Sequence, residues 1–105
     1  MITDEIFEEL RKVDRGLTES EFCKSYLRTS RSYLCNRRNK RKDVSNDVLL
    51  RLYAELSGAG AVWRRAADTE HNAVHSMRWV ALSEFHTQLA KKVLARLVDR
   101  AKQEC

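Results

Sequence analysis

Between Cys23 and Lys42 the chain carries eight arginine or lysine side chains and no aspartate or glutamate. Such a run can hold anions, because each cation is a hydrogen-bond donor and no neighbouring carboxylate competes for it. Five of the six residues in RRNKRK, Arg37 to Lys42, are basic, and serines, two tyrosines and an asparagine are interleaved upstream of them. The flanks are different. Residues 1–22 hold seven acids and three bases, residues 43–70 five acids and three bases, and residues 71–105 three acids and six bases. The chain's net charge of +5 is therefore concentrated in one twenty-residue stretch. A solvated basic face is the bland explanation of a charge run, so the punctuation around it decides what it means.

That punctuation is helical. Proline is absent and glycine occurs only at 16, 58 and 60 among 105 residues, 43% of them apolar and 33% charged, which predicts one small, foldable, all-α protein of five or six helices. Thr3 or Asp4 is placed to cap a first helix with Ile6, Phe7, Leu10 and Val13 on its inner stripe and Gly16 at its end. Thr18 and Glu21 form a capping-box pattern for a second helix, with Phe22, Cys23, Tyr26 and Leu27 inward. Only Arg28 and Thr29 separate Leu27 from Ser30, so a tight turn joins the second helix to a third, expected from Arg31 to about Arg38. In that third helix Leu34 and Cys35 are expected to face the core, leaving Arg31, Ser32, Tyr33, Asn36 and Arg37 outside. Ser45 caps a fourth helix, about Asn46 to Ser57, whose Val48, Leu49, Leu52, Tyr53 and Leu56 recur at helical spacing, and Gly58 to Gly60 ends it.

From Ala61 onward neither glycine nor proline occurs. Apolar residues recur there every three or four positions, with a break expected near residues 68–73. The division predicted is residues 1–57 as one domain and 61–105 as a helical extension. The extension's apolar stripe is wider than one small domain needs, which points to a partner helix, most simply from a second copy. Trp63, Met77, Val80, Phe85, Leu89, Val93 and Leu97 are the expected dimer contacts.

The run LTESEFCKSYLRTSRSYLCNRRNKRKDVSNDVLLRLYAEL, residues 17–56, resembles the Cro/C1-type, XRE-like helix-turn-helix family. Ser30-Arg31-Ser32, Leu34, Ser45, Leu49, Leu52 and Leu56 fall at matching positions. The chain departs from that pattern in a second helix one residue longer, in Arg28 where the family turns on glycine, and in Val44 where it has proline before the serine. The resemblance implies a sequence-specific regulator of bacterial or phage type that binds double-stranded DNA as a dimer. It implies that Arg31, Ser32, Tyr33, Asn36 and Arg37 read base edges in the major groove, and that Ser30, Arg38, Lys40, Arg41 and Lys42 meet phosphates. It places the protein in the cytoplasm, on the nucleoid.

Other chemistries are poorly supported by the residues. His71 and His75 stand four apart, but Cys23 and Cys35 are twelve apart with a basic helix between them, which is not zinc spacing. His86, like these two, is expected on a helix surface or at a dimer contact. No phosphate-binding glycine loop, zinc-protease motif or nucleophile elbow is present, so neither an enzyme nor a cofactor is expected. Three cysteines at wide spacing predict free thiols in a reducing compartment. MITDEIFEEL is acidic and amphipathic and predicts neither a secretory signal nor a membrane span. Two other classes remain: a protein-interaction module of the antitoxin or adaptor kind that grips its partner through the C-terminal helices, and an RNA-binding protein in which Tyr33 stacks.

Overall fold

The structure is a computed structural model and describes residues 1–104; Cys105, one of the three expected free thiols, lies outside them. Five helices follow one another: α1 (Ile2–Val13), α2 (Glu19–Phe22) continued by one π-helical turn (Cys23–Leu27), α3 (Tyr33–Asn39), α4 (Asn46–Thr69) and α5 (Ala73–Glu104). No strand occurs among the described residues, as the composition predicts.

The inner stripes read from the spacing form one core. Ile6, Phe7 and Leu10 of α1, Phe22, Cys23 and Leu27 of α2 and its π-turn, Leu34 of α3, and Val48, Leu49, Leu52 and Leu56 of α4 are buried together. Leu89, Ala90 and Val93 of α5 belong to the same cluster. Phe7 and Phe22 pack with ring centroids 5.2 Å apart, and Tyr26 continues the stack at 5.6 Å from Phe22. Each fully buried leucine contributes roughly 1.5–3 kcal/mol, so this shared cluster dominates the stability of the fold.

The expected division at residues 58–60 does not occur, because α4 runs unbroken through both glycines to Thr69. An isolated glycine weakens a helix by only about 1 kcal/mol, and tertiary packing overrides it. Gly60 is where that packing is closest. Ser83 of α5 donates to the Gly60 carbonyl at 2.7 Å, and a Cβ on Gly60 would stand 2.7 Å from the Thr87 hydroxyl and 3.3 Å from the Ser83 carbonyl. Gly58 faces open space.

The break near residues 68–73 is present. Asn72 terminates the loop by accepting the Val74 and His75 N–H groups at 2.9 and 3.3 Å, and Glu70 accepts the Asn72 N–H at 3.0 Å. Here α5 turns back along α4, reaching its starting end, where Arg100 bonds the Val44 carbonyl and Asn46 at 2.8 Å each. The seven expected dimer contacts are thereby divided. Leu89 and Val93 are buried, and Phe85 and Leu97 pack against the same core. Trp63 and Trp79 meet across the hairpin at 6.2 Å, Val80 is half-buried, and of the seven only Met77 is fully exposed, at 73%. The stripe looked too wide because it packs along α4 and also meets α1 in the shared core.

Four local expectations fail. Thr3 is fully buried and its hydroxyl has no partner, and α1 has no side-chain cap. Val13 is exposed, and Gly16 has no left-handed φ; the Asp14 N–H closes α1 onto the Leu10 carbonyl at 2.9 Å. His86 is buried, its Nδ1 2.8 Å from the Leu82 carbonyl. Gly58→Ala should raise unfolding stability by roughly 0.5–1 kcal/mol, and Gly60→Leu should lower it by roughly 1–3 kcal/mol, both read from urea midpoints.

Candidate functional site

The second helix begins as its sequence dictates, with the Thr18 hydroxyl accepting the Glu21 N–H at 3.2 Å. It then widens into the π-turn Cys23–Leu27. A π-turn holds one extra residue within a helix without disturbing the helix on either side. The Cys23 carbonyl accepts the Arg28 N–H, the Thr29 N–H at 2.9 Å and the Thr29 hydroxyl at 3.2 Å. Arg28 then takes φ 54°, ψ 46°, the left-handed conformation for which glycine is the usual residue. Its guanidinium pairs with Glu55, and Arg51 donates to its carbonyl at 3.2 Å, so α4 holds the turn from both sides.

The third helix starts two residues later than expected. Ser30 accepts the Tyr33 N–H through its carbonyl, Ser32 occupies the cap position without a side-chain bond, and α3 proper begins at Tyr33. Leu34 is its one fully buried side chain. Cys35, expected in the core, is exposed, because successive residues on a helix are turned by about 100° and only Leu34 points inward. The outward stripe is therefore Ser32, Cys35, Asn36, Asn39 and Lys40, at steps of three and four, with Arg31 exposed just before it. Cys35 and Asn39 escaped the sequence reading; the helical phase set by Leu34 alone would have found them.

Two of the five expected base-reading residues are occupied otherwise. Tyr33 is half-buried against the core, and its hydroxyl accepts the Ser45 N–H at 3.3 Å. Arg37 lies over the Tyr33 ring at 5.6 Å with its Nε enclosed and unpartnered. Arg31, Ser32 and Asn36 remain exposed. Of the expected phosphate contacts, Ser30, Lys40, Arg41 and Lys42 are exposed as well. Arg38 differs: it bonds Glu19 at 2.8 Å and also Asp4, and these two carboxylates hold its charge more firmly than that of a free arginine. It ties α3 to α1 and α2 and is neutralised in place.

Among the described residues Lys24, Arg31, Arg37, Lys40, Arg41 and Lys42 have no carboxylate within ion-pair distance, whereas the other two cations of the run, Arg28 and Arg38, do. The connector after α3 is fixed in spite of its charge. Arg41 takes φ 54°, and the Lys42 and Arg41 N–H groups return to the Arg37 and Arg38 carbonyls at 2.9 and 3.0 Å, a complete Schellman turn with arginine in the glycine position. Asp43 then receives Arg100 at 2.9 Å and Arg96 at 3.4 Å. Burial pushes the Asp43 carboxyl up, but the Val44 N–H and the two arginines outweigh it and leave the carboxyl below its ordinary range. Ser45 closes the segment, its hydroxyl accepting the Val48 N–H at 3.3 Å as the cap of α4. Cys23 is enclosed, and that burial raises its thiol above the usual range.

The described residues include no group of three or more histidine, cysteine or acidic side chains arranged to hold a metal ion. None of the helices they form is long and apolar enough to cross a membrane. A family model described as a family of unknown function (DUF6626) matches residues 3–104. Neither the curated proteins nor the solved structures give a match.

Two outcomes follow from the connector. Arg41→Gly relieves a left-handed side chain and should raise stability by up to about 1 kcal/mol in urea unfolding. A carboxyl with a lowered folded pKa stabilises the fold above its unfolded value, near 4, and loses that contribution as pH falls through the folded one. Asp43→Asn should therefore be less stable than the parent at neutral pH, with the gap closing below about pH 4 in thermal melts.

Proposed function

We propose that this chain, which belongs to the DUF6626 family of unknown function, binds double-stranded DNA and regulates transcription in a bacterial or phage setting. The observation that carries the reading is the set of unpaired cations on either side of a rigid polar stripe. Six basic side chains without carboxylate partners surround α3, whose exposed face is Ser32, Cys35, Asn36 and Asn39. Self-repulsion in such a run is relieved by a polyanion, and an asparagine on a fixed helix can bond adenine through both of its amide atoms. In this reading Arg31, Ser32, Asn36 and Asn39 address base edges, and Ser30, Lys40, Arg41 and Lys42 address phosphates.

Pairing of two copies belongs to the same proposal, with a smaller surface than the sequence reading gave. Phe85, Leu89, Val93 and Leu97 serve the chain's own core, so self-association falls to the outer part of the α4–α5 hairpin. There Val62, Val74 and Met77 are 59%, 68% and 73% exposed beside the half-buried Trp63 and Val80.

Selection from random duplex DNA should enrich a motif with two-fold symmetry, and Asn36→Ala should lose discrimination by roughly 1–3 kcal/mol at one base position. In a Cys105→Ser background Cys35 should react with a thiol reagent in the native protein and Cys23 only on unfolding, and the selected duplex should shield Cys35. Equal affinity for every polyanion, with Cys35 unshielded, would remove the reading. A scattering mass of one chain on DNA and off it would remove the pairing.

A further inference from the structure

Beside the connector, on the side where α1 and α5 meet it, lies a cleft of about 510 Å³ lined by Met1, Asp4, Arg38, Arg41, Lys42, Asp43 and Arg96. Four cationic side chains and two carboxylates line it, besides Met1. Asp4 pairs with Arg38, which Glu19 also holds, and with the Met1 amino group at 3.5 Å. Asp43 is shared between Arg96 at 3.4 Å and the more closely bound Arg100 at 2.9 Å, so Arg96 has only half a partner. Arg41 and Lys42 have none among the described residues, which leaves the cleft an excess of positive charge.

We infer that this cleft holds a phosphate of a nucleic-acid backbone, and that Arg96 on α5 is a phosphate-binding residue together with Arg41 and Lys42. The walls select the class of ligand. No aromatic ring lines the cleft to stack a base, and its donors are guanidinium and ammonium groups suited to phosphate oxygens. The site is also built in advance. The Arg41 backbone is fixed by the Schellman turn, Arg38 by two carboxylates, and Asp43 by Arg100, so an incoming phosphate displaces only the long Arg96–Asp43 contact while Arg100 keeps Asp43 paired. The C-terminal helix thereby enters the proposed DNA surface.

The inference rests on the DNA reading for the source of the phosphate, though not for the cleft's affinity for phosphate. The test compares the parent, Arg96→Ala and Arg96→Lys for duplex affinity across a salt series, alongside NMR titration with tripolyphosphate at constant ionic strength and thermal melts to establish folding. Arg96→Ala should bind every duplex roughly 3–10-fold more weakly, with a salt slope shallower by about one, while Arg96→Lys keeps most of the affinity. Tripolyphosphate should shift the amides of Arg41 to Asp43 and Arg96 in the parent and compete with duplex. If the parent binds duplex and folded Arg96→Ala matches it in affinity and slope, the cleft assignment falls and the DNA reading stands. If no duplex binds but tripolyphosphate shifts these amides and Arg96→Ala abolishes the shifts, the DNA reading falls and the cleft takes free polyphosphate. If neither ligand binds, both are overturned.

Discussion

Arg100 holds the structure's most consequential contact. Its side chain is only 16% exposed, and a guanidinium so enclosed is tolerated only where its donors are satisfied. Its partners, the Val44 carbonyl, the Asn46 side chain and the Asp43 carboxylate, all lie in the four residues that lead into α4. From the opposite direction the Tyr33 hydroxyl takes the Ser45 N–H. Residues 43–46 are thus fixed by the C-terminal helix and by α3 together. Without that double hold, the orientation of α3 would depend on Leu34 and the Arg38 pairs alone, and the basic connector would be a mobile charged loop.

Two arginines sit in backbone conformations that favour glycine, and they bracket α3. Each costs on the order of 1–2 kcal/mol relative to an unstrained residue, and six unpaired like charges add repulsion around them. Strain and repulsion of this kind persist when the surrounding packing over-determines the segment, and they gather at sites of function. Arg28 recovers part of its cost through Glu55 and Arg51, which fasten it to α4. Arg41 has no carboxylate partner among the described residues; what it contributes instead is a cation to the cleft it lines.

Much of the fold was legible because helical spacing is a local property. The buried leucines of α4, the Ser45 cap and the stop at Asn72 follow from residues within a few positions of one another. What was not legible depends on contacts distant in sequence. Gly58 and Gly60 read as a helix end, but the hydrogen bond from Ser83 and the approach of Thr87 explain why a glycine is needed within a continuing helix. Arg38, Arg96 and Arg100 resemble other surface cations until Glu19, Asp4 and Asp43 are brought to them. Cys35 was misplaced by a single step of helical phase, the step that Leu34, the buried residue of α3, fixes.

The C-terminal helix shows how an apolar stripe can mislead. Counted by itself, α5 presents more apolar surface than α4 can cover, and a second chain is the natural inference. Its inner residues are buried instead in the one core cluster, mainly against α4 with α1 beside it, and its cations reach back to Glu5 and Asp43. A helix of 32 residues is about 48 Å long, near the 50 Å longest dimension of the molecule, so it spans the whole domain. One end braces the cationic connector, and the other carries Val74 and Met77 into solvent with only the two tryptophans and the rest of the hairpin behind them. Contact with an anion at the first end and with a protein at the second would therefore load the same rigid element, with the Gly60–Ser83 crossing between them holding α4 in register.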